Sequence, residues 1–141
     1  MRKKYSIIGY GTFITEGYWK NKENLEICKV TGFRRILPEG NWFPYILIDK
    51  ESSFWALKFD ISEVELYKLD YYEGTSIGLY RRIQIEVEIK NNVLKKAFIY
   101  IPTEETIQKE RLSLETDRKD KWKNEIKKII EITEKFPELI Y

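Results

Sequence analysis

Apolar positions along this chain change their period several times, and each change marks a different element. Lys4 to Tyr10 (KYSIIGY) is β-branched and aromatic and breaks at Gly11, which predicts a first strand running into a tight loop. Residues 13–26 keep no period and read as an excursion with a helical turn. Ile27 to Leu37 predicts a second strand interrupted by Gly32, and Pro38 to Asn41 (PEGN) predicts a turn. Tyr45 to Ile48 and Phe54 to Phe59 predict two strands joined by a polar turn over Asp49 to Ser53.

The sharpest local signal comes next. Ser62 followed three places later by Glu65 makes a capping box, and Ile61 with Leu66 makes the matching hydrophobic staple. A helix is predicted from about Glu63 to Glu73, with Gly74 as its left-handed stop. Leu79 to Lys90 then alternates, with Ile83, Ile85, Val87 and Ile89 on one face and Gln84, Glu86 and Glu88 on the other. That is the pattern of a half-buried strand. Asn91-Asn92 suits a tight hairpin turn into Val93 to Ile101, ending at Pro102. From Asp117 to Lys135, Trp122, Ile126, Ile129, Ile130 and Thr133 recur at helical spacing, predicting one long amphipathic helix. The fold expected is α+β: a mainly antiparallel, barrel-like sheet flanked by one short and one long helix.

Composition narrows the function. A chain of 141 residues suits one domain over 1–141 with a core of its own. No apolar run approaches the ~20 residues that span a bilayer. Met1-Arg2-Lys3-Lys4 is basic, but the apolar stretch behind it holds Gly9, Tyr10 and Gly11 and lacks a small-residue cleavage site, so no secretion signal is expected. The single Cys28 excludes an intrachain disulfide, fits a reducing cytoplasmic location and reads as a small buried hydrophobe. Abundant Lys and Glu with few Gln point to a thermophilic source. The chain contains no histidine, which removes imidazole metal sites and Ser-His or Cys-His dyads. Acid-base work therefore falls to Glu, Asp, Tyr or Lys. A net charge of +2 gives no electrostatic case for nucleic acid. Four Trp and ten Tyr raise the idea of a single-strand-binding barrel, but Trp42, Trp55 and Trp122 sit in segments that read as core.

Two places depart from what folding alone would choose. Positions 66, 69 and 73 share a face of the Ser62-capped helix, so Leu66 and Leu69 carry Glu73 toward the core. Glu73 also ends that helix, where the macrodipole disfavours a carboxylate by about 0.3–1 kcal/mol. A carboxyl held there should have a raised pKa, as an acid-base group near neutrality needs. The bland alternative is a frayed last turn that lets Glu73 reach water. The second place is Tyr10-Gly11-Thr12-Phe13, where Gly11 permits close backbone approach and successive amides could hold an anion. Its bland alternative is an ordinary strand-ending turn.

Tyr10-Gly11-Thr12-Phe13 after a first strand resembles the Tyr-Gly-Ser/Thr-Leu/Asn motif of the γ-glutamylcyclotransferase-like family, which includes the avirulence-induced plant proteins. Leu69-Asp70-Tyr71-Tyr72-Glu73-Gly74 is similar to its Leu-Asp-x-x-Glu-Gly signature, followed as in the family by Tyr80-Arg81-Arg82 opening a strand. Thr31-Gly32-Phe33, Phe43-Pro44 and the Ala97 to Tyr100 strand are weaker echoes. The resemblance covers residues 1–102 and leaves 103–141 as a C-terminal helical extension.

The resemblance implies a compact barrel whose Tyr10 to Phe13 loop binds a small-molecule γ-glutamyl substrate, with no cofactor and no metal. Glu73 would serve the substrate's own α-amine as it attacks the γ-carbonyl, giving 5-oxoproline and a free amine. Tyr80 and Tyr100 carry over as pocket hydroxyls, with plain strand packing as their bland alternative. From its chemistry Arg81 or Arg82 could meet a carboxylate bidentately, the alternative being an arginine solvated at the strand start. Three departures stand out: Phe13 narrows the pocket, Ala56 replaces a usual glycine, and Glu16 adds negative charge near the loop. A non-catalytic small-ligand binder on the same barrel is the competing function. Oligomeric state is open at this level.

Overall fold

The computed structural model describes residues 3–141. Five strands form a closed barrel: β1 (Lys4–Gly9), β2 (Glu23–Ile36), β3 (Tyr45–Ser62), β4 (Tyr80–Ile89) and β5 (Val93–Pro102). Their order around the barrel is β1-β3-β2-β4-β5, antiparallel except for a parallel contact between β1 and β5 at Ile7 and Phe98. Five α-helices decorate it: α1 (Thr12–Thr15), α2 (Glu63–Tyr72), α3 (Glu104–Lys109), α4 (Trp122–Lys127) and α5 (Ile130–Lys135). The expected α+β barrel with flanking helices is the fold observed. Among the described residues no helix is long and apolar enough to cross a membrane.

Period-2 alternation divides each strand between two cores. Ile8, Cys28, Val30, Ile46, Phe54, Ala56, Val87, Ala97, Ile99 and Ile101, drawn from all five strands, fill the barrel. Their neighbours Ile7, Leu57 and Tyr100 face outward and pack with Leu66, Leu69, Trp122, Ile126 and Ile132 of the helices. The alternating face expected for β4 holds: Val87 is buried, and Ile83, Ile85 and Ile89 pack against the barrel core.

Two sequence expectations are corrected. Tyr45 to Phe59 is not two strands folded back at Asp49. Both stretches pair in line with β2, as Phe33↔Ile48 and Thr31↔Ser53, and residues 49–52 bulge out opposite Gly32. Asp49 closes the bulge itself, accepting from the Glu51 amide and the Ser52 hydroxyl. A local Asx turn looks the same in sequence whether it ends a strand or bulges from one.

The long C-terminal helix is also absent. Asp117 and Asp120 sit at positive φ (48° and 52°), and Ile129 leaves the helical region at φ −100°, ψ 86°. The break leaves Ile130 66% exposed and buries Ile132 instead. Helix α3, capped by the Thr103 hydroxyl accepting from the Thr106 amide, was not anticipated.

Helix α2 follows its sequence signals closely. Ser62 caps it with both halves of the capping box formed, and Gly74 stops it at φ 69°. A Cβ at Gly74 would lie 2.9 Å from Leu79 Cδ1 and 3.2 Å from its Cβ. Gly74→Ala therefore combines a left-handed penalty with a clash, and a destabilisation of about 1–3 kcal/mol is expected. Urea unfolding should show a lower midpoint with an unchanged slope.

Candidate functional site

A cavity of about 180 Å³ opens at the end of the barrel where the two cores meet. Ile8 and Tyr10 reach it from β1 and the loop behind it, Tyr80 and Tyr100 from β4 and β5, and Tyr72 and Glu73 from the end of α2. Gly11, Thr12 and Phe13 form one wall, and Trp42, Phe43 and Pro44 continue the lining beside it. Gly11 is needed here, because a Cβ would sit 2.9 Å from Pro44 Cγ.

Glu73 is half-buried and lines this cavity. Burial lifts its carboxyl from the ordinary 4.5 to about 7. No hydrogen bond among the described residues engages that carboxyl, while its backbone amide donates to Leu69 O at 2.8 Å and so closes the helix. Its negative charge, added to burial, raises the phenols of Tyr10 and Tyr80. The amides of Gly11, Thr12 and Phe13 find no acceptor among the described residues, while Gly11 O accepts from the Ile14 and Thr15 amides. One carboxyl poised near neutrality thus shares a cavity with a row of free amides. Such a pair can exchange a proton and hold developing negative charge.

Glu73, Tyr10, Gly11, Thr12, Phe13, Tyr80 and Tyr100 come together; Arg81 does not. Neighbouring strand residues face opposite ways, so Tyr80 turns to the cavity while Arg81 lines a separate recess with Phe33, Ile48 and Glu104. Two phenols are committed elsewhere. Tyr10 donates to Tyr100 O at 2.8 Å, and Tyr100 donates to Asp70 Oδ1 at 2.7 Å. Of the three phenols expected at the site, Tyr80, stacked on Tyr45 with centroids 6.0 Å apart, is the one whose hydroxyl has no hydrogen bond among the described residues. Glu16 lies outside the cavity, beside Tyr72. Cys28 is fully buried and its thiol is pushed up to about 12, which leaves it inert at neutral pH.

Sequence reasoning missed two contributors. Trp42 was read as core but is 66% exposed, packed edge-on against Phe43 at 5.0 Å on the rim. Arg35 was not singled out, yet it is only 1% exposed. Its Nη1 donates to Tyr10 O at 2.6 Å, and its Nε and Nη2 meet the Asp120 carboxylate at 2.8–3.1 Å. The signal was present: Arg35 stands two positions after the core-facing Phe33, on the parity of a strand that should be apolar.

A closed five-stranded barrel with one ionisable carboxyl in a cavity beside the first strand's loop defines a γ-glutamyl cyclotransferase-type fold. The chain belongs to the family described as Gamma-glutamyl cyclotransferase, AIG2-like, whose model matches residues 7–124. It is similar to a solved structure titled gamma-glutamyl cyclotransferase, at 14% identity and TM-score 0.62, covering 92% of this chain and 99% of that one. A mouse AIG2-like protein is 18% identical over 70% of this chain and 76% of its own, with TM-score 0.54. A yeast gamma-glutamyl cyclotransferase specific to glutathione is 9% identical over 91% and 87%, with TM-score 0.58. No curated protein matches the sequence significantly. At these identities the structural likeness speaks for the fold.

Proposed function

We propose that this protein is an enzyme that converts a γ-glutamyl amine, amide or peptide to 5-oxoproline and the free amine. The observation that carries the reading is Glu73, an unpaired carboxyl lifted to about 7 in the cavity that the first loop walls. In the proposed reaction the glutamyl part lies in the cavity with its γ-carbonyl oxygen toward the amides of Gly11, Thr12 and Phe13. Glu73 as carboxylate takes a proton from the substrate's α-ammonium. The freed amine attacks the γ-carbon, forming the ring C–N bond, and the loop amides stabilise the oxyanion. The Glu73 carboxylic acid then returns the proton to the departing nitrogen as the amide C–N bond breaks, and the ring nitrogen, which carries one proton too many after the attack, releases it to solvent to become the lactam N–H.

The reacting groups are on one molecule, so holding the substrate bent supplies much of the acceleration. The residues needed are one carboxyl and a row of donors, which a chain without histidine provides. Residues 103–141 belong to the same functional unit in this reading, because Asp120 holds the arginine that holds the loop.

Incubation with γ-glutamyl amides should release 5-oxoproline, detectable by NMR. kcat/KM should rise with pH along an acid limb centred near 7, because only the carboxylate form of Glu73 can accept the proton. A shift in melting temperature without 5-oxoproline would instead identify a non-catalytic ligand-binding barrel.

A further inference from the structure

The cavity beside Glu73 is too small for a whole substrate. At about 180 Å³ it accommodates a glutamyl group, well below the ~300–1,000 Å³ of sites that enclose larger ligands. Beside it lies a larger recess of about 530 Å³ between α1 and α2. Phe13 and Tyr72 line both spaces, so the two are separated by a shared wall of rings. Tyr72 immediately precedes Glu73. A carboxyl that returns a proton to a departing nitrogen must stand next to that nitrogen. Tyr72 and Glu73 line the same cavity, so the Tyr72 side is open to a group departing next to the Glu73 carboxyl.

We infer that this recess seats the leaving amine and selects amines with a bulky apolar body; the assignment rests on the proposed cyclotransferase reaction. Its surface is made by Phe13, Tyr18, Leu69 and Tyr72, with the Phe13 and Tyr18 rings 5.1 Å apart. Lys22 lies 4.4 Å over the Tyr18 ring and is held by Glu65 at 2.9 Å, so its charge is already answered. Glu16 and Lys68, one of each sign, complete the edge and form no ion pair among the described residues. The recess thus offers apolar area without demanding a net charge. An aromatic or branched amine would bury its side chain there, while a methylamine would leave the recess empty.

The test compares γ-glutamyl phenethylamide with γ-glutamyl methylamide. The native protein should favour the phenethylamide in kcat/KM by about 10- to 100-fold, the range an apolar pocket gives for a larger group. Lys68→Trp and Glu16→Trp place an indole in the recess from exposed positions, where folding tolerates the change. Both should bring the ratio close to one. A native ratio near one, or a ratio that both variants keep, overturns the inference. If neither amide yields 5-oxoproline, the proposed reaction fails by itself, and phenethylamine alone then tests the recess. Perturbed Tyr18 and Tyr72 NMR signals in the native protein, absent in Lys68→Trp, would retain it as an amine site, and unperturbed signals would reject it.

Discussion

Glu73→Gln is expected to lower turnover by roughly 10²–10⁴-fold while making the protein more stable above neutral pH. The first effect follows from removing the group that carries the proton both ways in the proposed reaction. The second follows from the position of that group. Burial raises the Glu73 carboxyl from 4.5 in the unfolded chain to about 7 in the fold. Between these values the folded state holds a proton that the unfolded state has released, so stability falls as pH rises through the window. Below pH 4.5 the acid is neutral in both states and nothing is lost. Above pH 7 the ionised carboxyl sits in a site that disfavours it, at a cost of about 1–3 kcal/mol. Glutamine is never ionised and escapes this cost. Melting temperatures of the two proteins should coincide at pH 4 and diverge by pH 8, the variant being higher. Wild-type turnover by the variant would refute the assigned role, and parallel melting curves at both pH values would refute the raised pKa.

The next largest effect is expected at Asp120. Arg35 is buried, and the Asp120 carboxylate engages its Nε and Nη2 across a sequence separation of 85 residues. Asp120→Asn keeps the shape and suits the positive φ at this position, but leaves a guanidinium without its counter-charge. Breaking a buried pair from one side costs about 3–5 kcal/mol, a fall in melting temperature of roughly 10 °C or more. Turnover should fall as well, because Arg35 Nη1 also fixes Tyr10 O at the start of the first loop. A double variant separates the two consequences. Arg35→Met with Asp120→Asn has no stranded charge and should recover much of the stability. It still lacks the donor to Tyr10 O, so turnover should stay low, by up to ~10²-fold. Recovery of both together would mean that the clamp serves folding alone.

How much of this was readable beforehand differs from residue to residue. Glu73 was legible because two local facts converge on it: the Leu66–Leu69–Glu73 stripe and the Gly74 stop. Neither needs knowledge of the rest of the molecule, and the structure places the carboxyl at a cavity beside Tyr10 to Phe13. Tyr80 and Arg81 were legible only as a pair. Alternation says that they part company, but not which of them meets Glu73. Trp42 was misread because a large aromatic beside Phe43 and Pro44 looks like core, and only the closed barrel shows that its end is open there.

The amino-acid sequence by itself determined the capped helix, the alternating strands, the exclusion of imidazole chemistry and the family motifs with their candidate carboxyl. These depend on backbone hydrogen bonds, side-chain direction and residue type within a few positions, so they are written locally. Tertiary structure alone decided that residues 45–62 run as one bulged strand, that the C-terminal helix breaks, and that Asp120 reaches Arg35 to brace the first loop. Each of these is settled by which strands pair and how the barrel closes. Contacts between distant segments are selected by the burial the whole chain can achieve, and a local pattern carries no record of that choice.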